Sequence, residues 1–256
     1  MCIAIAGIIS QNKLTTVNAA WPPIDISILK SQYKFKIEFI NDLESSGYGV
    51  HLSKGLNLNP LSVEDPNGNL AVLGCGTGLG EAIITEKHGK KIVIATEGGY
   101  KDFAPRDEQQ FMLLKSIQAS NKSVSVPVER VCSGRGIQNI LSFIAKSKTD
   151  LSPKDIVMNG LKNESKECTE SIKLFAKILG AEASNLCISS LATKGVYIFG
   201  GAVQDMKEYL QKEESGFLQA FYQREVLTDF MKKVPLYFTT EESNLLGAEY
   251  YSLHMD

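Results

Sequence analysis

The sequence predicts an α/β fold. Short runs rich in Ile, Val and Leu alternate with stretches whose apolar residues recur at helical spacing, and neither kind segregates to one half of the chain. Glycines and carboxylates collect at the ends of the apolar runs, where strands of such folds hand over to loops and helix N-termini. With 256 residues, 43% of them hydrophobic, the chain can bury a substantial core as one large domain or two modest ones.

The elements follow in order. "CIAIAGII", 2–9, reads as one buried strand, and "FKIEFIND", 35–42, as a second that alternates Phe35, Ile37 and Phe39 with Lys36 and Glu38. "NLAVLGCGTGLG", 69–80, is a strand running into glycines, "EAIITEK" its antiparallel continuation, and "KKIVIATEGG", 90–99, the next strand. The pattern predicts a helix from Asp107 with Phe111, Leu114 and Ile117 on one stripe, and another after "ERVCSGRG" with Ile137, Ile140, Leu141 and Ile144 inward. A long helix is expected over about 168–191, then the strand "GVYIFGG", a helix from about Asp205, the strand "VPLYFT" and a last helix over 241–253. The turn-rich "NLNPLSVEDPNGN", 57–69, reads as a domain edge or hinge.

Composition narrows the function classes. The net charge of −2 lacks the basic excess of a nucleic-acid binder. No stretch approaches the ~20 apolar residues that span a bilayer. The five cysteines, Cys2, Cys75, Cys132, Cys168 and Cys187, are scattered without metal-ligand spacing, which predicts free thiols in a reducing, cytoplasmic setting.

The polar clusters each carry two readings. "GCGTGLG", with Gly76, Thr77 and Gly78, offers backbone N–H groups and a hydroxyl to an anion, but lacks the lysine of a P-loop; the alternative is an ordinary turn between strands. Gly200-Gly201 in "IFGGAVQ" is either a tight turn or a close passage over a nucleotide. Asn41-Asp42 at the end of an apolar strand caps a turn or helix, or else supplies a general base. Glu97 and Glu129 are solvated surface acids, or hydrogen-bond acceptors for a polyhydroxylated ligand whose ring passes over neighbouring glycines.

"GCGTGLGEAII", "EGGYKDFAPRDEQQ", "ERVCSGRGIQNIL", "INDL", "IFGGAVQDM" and "NLLGAEYY" together resemble the bacterial-type glucokinases, hexokinase-like sugar kinases of the actin-like ATPase superfamily. The resemblance covers nearly the whole chain. It implies a two-lobed, ribonuclease H-like fold with mixed sheets: an incomplete small lobe of 1–50 with 240–256, and a large lobe of 51–239. The implied reaction is ATP-dependent phosphorylation of glucose or a related hexose at the 6-hydroxyl, with Mg2+ bridging the nucleotide phosphates. Asp42 is then the catalytic base and Asn41, Glu97 and Glu129 sugar ligands. Gly76, Thr77 and Gly78 match the second phosphate loop, and Gly200 and Gly201 the adenosine loop. Lobe closure would exclude water, and a homodimer is among the implied partners, with no nucleic acid or membrane.

Two departures from the family pattern stand out. No Asp-x-Gly-Gly-Thr first phosphate loop occurs anywhere in the sequence, which implies a start ~60 residues into the family pattern. Tyr100 stands where the family places a glucose-binding histidine, and Asn18-Ala19-Ala20-Trp21 where it often has Thr-Asn-His before Trp. The alternative expectation is therefore a catalytically impaired sugar-binding or interaction protein of the same descent. The cysteine-rich zinc motif usual in the related repressor and open-reading-frame kinases is absent from the sequence.

Overall fold

A computed structural model describes residues 1–16, 21–239 and 243–254. In chain order the elements are β1 (Cys2–Ile5), β2 (Ile8–Ser10), β3 (Lys13–Thr15), β4 (Ile24–Asp25), α1 (Ile26–Ser31), β5 (Glu38–Asn41), α2 (Asp42–Gly49) and β6 (Leu56–Asn57). Then come β7 (Leu70–Cys75), β8 (Leu79–Lys87), β9 (Lys90–Thr96), α3 (Glu108–Asn121), α4 (Gly134–Ala145), α5 (Pro153–Leu161) and α6 (Lys166–Ser190). The chain continues through β10 (Gly195–Phe199), α7 (Lys207–Leu210), α8 (Phe217–Tyr222), α9 (Thr228–Met231), β11 (Leu236–Phe238) and α10 (Ser243–His254).

The main sheet has the order β6-β11-β10-β7-β8-β9. Strand β10 pairs parallel with both β7 and β11, while β8 runs antiparallel to β7 and β9. The carboxyl ends of β7, β9, β10 and β11 therefore point the same way. Strand β7 explains the layering: Ala71, Leu73 and Cys75 face one core, and Leu70 and Val72 face the other, the period-2 alternation of a strand buried on both sides. The larger core holds Ile137, Ile140, Ile156, Ile172, Phe175, Phe217 and Phe221 from α4, α5, α6 and α8. The smaller lies under α2 and α10, with Ile40, Tyr48, Ala82, Ile84 and Val93. Strands β1 and β5 form a separate parallel pair, and β2, β3 and β4 a small antiparallel sheet.

The mixed α/β class is as the sequence predicts, with local corrections. The run 2–9 is two strands, because Cys2–Ile5 pairs with β5 and Ile8–Ser10 with β3, in separate sheets. The second strand starts at Glu38; Phe35 is exposed against the Tyr33 ring, and Asp42 already belongs to a helix. Helix α3 buries Gln110, Leu113 and Ile117 and leaves Phe111 exposed. Its inward face includes Gln110, whose buried side chain accepts the Arg106 N–H at 3.0 Å and donates to Asp107 Oδ2 at 3.3 Å, so that a polar residue takes a core position without an unpaired group. The helix expected from Asp205 is one 3₁₀ turn and the four residues of α7, and the last helix is described from Ser243. Asn18, Ala19 and Ala20 lie outside the described residues.

Candidate active site

A cleft of about 320 Å³ opens at the carboxyl ends of β5, β7, β9 and β10. Asn41, Asp42, Gly76, Thr77, Gly78, Glu97, Tyr100, Glu129 and Gly200 all line it. Gly201 lines an adjoining cavity of about 250 Å³ that shares Asp42, Leu43, Phe199 and Gly200 with the first. Clusters spread over 160 positions of sequence thus meet along one sheet edge, where α/β folds bind ligands.

Asp42 is the first residue of α2 and Asn41 is its cap. Asn41 Oδ1 accepts the N–H groups of Leu43 at 2.8 Å and Glu44 at 3.2 Å, and Glu44 returns the bond to the Asn41 N–H, a capping box. Asn41 Nδ2 donates to the Gly7 carbonyl at 3.0 Å, which leaves its amide one N–H for a ligand. The capping reading of the pair is therefore realised by Asn41, and Asp42 is freed for the cleft. Burial pushes the Asp42 carboxyl above its ordinary value, only partly offset by the Leu43 N–H at 3.0 Å. A carboxylate raised in this way is a better proton acceptor.

Glu97 follows β9 and opens the 3₁₀ turn Gly98–Tyr100. Burial raises its carboxyl, and the charges of Asp42 and Glu129 raise it further. Glu129 sits in the 3₁₀ turn Val128–Arg130, where its Oε2 accepts the Leu79 N–H at 3.0 Å. The two acid-bearing turns are joined: Val128 N–H donates to the Lys101 carbonyl at 2.7 Å and Phe103 N–H to the Val126 carbonyl at 2.8 Å. Tyr100 is half exposed at the rim.

The glycine turns bring backbone to the same cleft, and Glu129 packs directly on Gly78. Gly76, Thr77 and Gly78 form the turn between β7 and β8, and the Gly76 carbonyl accepts the Gly134 N–H at 2.8 Å, tying the turn to the start of α4. Gly200 has φ +117, and a Cβ there would collide with the Cys75 carbonyl, so the chain requires glycine. The cleft also takes in Ala6, Gly7, Thr96 and Phe199, which sequence reasoning missed. Ala6, Gly7 and Phe199 carry no polar side-chain group and the Thr96 hydroxyl is taken up by the Glu81 carbonyl, so only their place at strand ends could have flagged them.

All five cysteines are free. Among the described residues no helix is long and apolar enough to cross a membrane. Nor does any group of three His, Cys, Asp or Glu among them suit a metal ion.

The glucokinase family matches residues 1–255 of the chain. A glucokinase of Nostoc punctiforme is 30% identical over 96% of this chain and 80% of its own length. Among solved structures, a glucokinase from an Antarctic psychrotroph superposes with a TM-score of 0.85 at 26% identity, covering 100% of this chain and 80% of its own. The Balamuthia mandrillaris glucokinase, solved in complex with glucose, superposes with a TM-score of 0.80 at 25% identity over 97% of this chain and 76% of its own. The architecture is the actin-like ATPase fold shared by these kinases.

Proposed function

This chain belongs to the glucokinase family of sugar phosphotransferases, and from that premise we propose that it transfers the terminal phosphoryl group of ATP to the 6-hydroxyl of glucose, with Asp42 as general base. One observation carries the reading. Asp42, Glu97 and Glu129 share a single cleft with the glycine turns at Gly76–Gly78 and Gly200. Acceptors for sugar hydroxyls thus share one cleft with backbone donors suited to phosphate oxygens.

The chemistry follows from the two walls. Glu97, Glu129 and the remaining N–H of Asn41 hold the hexose, with Tyr100 at the rim offering one hydroxyl. The bond from the sugar O6 to phosphorus forms as the bond from phosphorus to the bridging oxygen of ADP breaks, and the 6-hydroxyl proton passes to the Asp42 carboxylate. Transfer of this kind depends on placement and charge stabilisation more than on covalent catalysis, and the base receives its proton late. Thr77 and the N–H groups beside it meet the phosphates; Gly200 and Gly201 let the adenosine pass close to the backbone. The donor set fits magnesium only as an ion carried by the nucleotide phosphates, with the Thr77 hydroxyl of the glycine turn as the neutral oxygen the chain would offer it, since Asp42 is taken up as the base. When bound, that ion would neutralise phosphate charge. We assign residues 1–50 with 240–256 to one lobe and 51–239 to the other, the two sharing the core under α2, and substrate filling the cleft beside that seam would expel competing water.

A coupled ADP-release assay with glucose tests the proposal. The parent chain should turn over, and Asp42→Ala should lose ~10²–10⁴-fold in kcat, the usual worth of a positioned base. A silent parent, or equal rates in both, would sink it. Glucose binding by calorimetry without turnover would instead favour a sugar-binding descendant.

A further inference from the structure

Behind the cleft lies a charged cluster that phosphoryl transfer does not use. Glu81 on β8 is 2% exposed and Glu182 on α6 is 5% exposed, yet neither sits at an element end where a charge is easily solvated. The Lys101 ammonium stands between them, 2.9 Å from Glu81 Oε2 and 2.7 Å from Glu182 Oε1. Two buried carboxylates on one ammonium is an expensive arrangement unless it fixes something.

What it fixes is visible in the chain. Lys101 is the residue that ends the turn carrying Glu97 and Tyr100. The near end of that turn is held to the same strand: Thr96 Oγ1 donates to the Glu81 carbonyl at 2.9 Å and accepts the Gly98 N–H at 3.2 Å. Gly98 packs so closely on the Glu81 carboxylate that any Cβ would collide with it. Through its carbonyl, Lys101 also receives the Val128 N–H of the neighbouring turn that holds Glu129.

We propose that Lys101, Glu81 and Glu182 form a positioning cluster, in which the ammonium pinned between two buried carboxylates fixes the 97–101 turn on β8 and so sets the placement of Glu97, and through Val128 that of Glu129, in the cleft. The cluster is titratable. Burial pushes the Glu81 carboxyl up to about 7; Lys101 opposes this and Glu182 adds to it. The other groups facing the cluster are the Cys75 and Cys132 thiols, and Arg106 and Arg224 on the Glu182 side. With Lys101 present, Glu81 can ionise without expelling the turn. Without it the Glu81 carboxyl is raised further, and whatever charge it takes on as pH rises is unpaired under Gly98.

This inference rests on reading the 97–101 turn as the sugar wall, and the test separates the two. Glucose and ATP KM values and kcat are measured over pH 6–8 for the parent, Lys101→Met, Lys101→Arg, Glu81→Gln and, as control, Glu97→Gln. Lys101→Met should raise glucose KM about tenfold, the scale of a displaced binding group, and more so at pH 8 than at pH 6, with ATP KM unchanged. Lys101→Arg should restore most of the loss, and Glu81→Gln should flatten the pH dependence. If Glu97→Gln leaves glucose KM unchanged, the sugar-wall reading fails. The cluster is then judged by hydrogen exchange of the Tyr100 and Lys101 amides without ligand, which Lys101→Met should speed about tenfold. Unchanged exchange in a folded Lys101→Met, or KM and kcat for both substrates falling together, would overturn the proposal. Should Lys101→Met not fold, Glu81→Gln decides it by the same exchange and pH readouts.

Discussion

The two walls of the cleft are built from different materials. The acid wall consists of side chains, Glu97 and Glu129, on short 3₁₀ turns that are bonded to each other and anchored on β8. The glycine wall is bare backbone, with Gly76 to Gly78 and Gly200 held in place by carbonyl contacts that leave no room for a Cβ at Gly200. A side-chain wall changes gradually when one group is altered, because its scaffold survives. A backbone wall fails as a unit, because the change that alters the site also strains the fold.

Gly200→Ala is the sharpest way to break that contrast. At φ +117 an alanine is strained by about 1–3 kcal/mol, before its collision with Cys75 is counted. Urea unfolding should register that loss, and ATP KM should rise while glucose binding is spared in the folded fraction. Glu97→Gln comes next: glucose KM should rise roughly tenfold with little change in stability. Its pH profile sharpens the point, since Glu97 is raised by burial and by Asp42 and Glu129. Glucose binding by the parent should weaken as pH falls towards the raised Glu97 value, and Glu97→Gln should remove that limb.

Glu81 gives a smaller effect with a definite sign. Its folded value of about 7 lies above the ordinary 4.5, so the folded state holds the proton more tightly than the unfolded chain. The stability that this proton gives is complete below 4.5 and lost as pH rises to about 7. The stability difference between parent and Glu81→Gln, from urea midpoints, should therefore fall across that window and level off above it. Tyr100→His should have the mildest effect, a severalfold gain in glucose affinity by calorimetry; unchanged or weaker binding counts against the sugar-side placement of Tyr100.

The site was legible in the sequence where chemistry and local pattern coincide. Asn41-Asp42, Glu97, Glu129 and the glycines stood out because acids and glycines interrupt apolar runs, and the strand ends bring all of them to one cleft except Gly201, which lines the adjoining cavity. The positioning cluster was not legible. Glu81 sits inside the run "EAIITEK", which reads as plain strand, and Glu182 lies mid-helix among Ala181 and Ala183. Their meeting at Lys101 depends on where α6 lies on the main sheet, over β7 and β10, a long-range fact that no periodicity encodes. The inward face of α3 was misplaced for a related reason: a buried glutamine with satisfied hydrogen bonds is invisible to an apolar stripe.

The central claim is that this cleft moves a phosphoryl group to a sugar. Its most direct test is phosphorus NMR of the full chain incubated with ATP, Mg2+ and glucose. A new phosphomonoester coupled to the C6 protons of the sugar, absent with Asp42→Ala, is the predicted result. ATP left intact, or hydrolysed to free phosphate with no sugar ester formed, would contradict it.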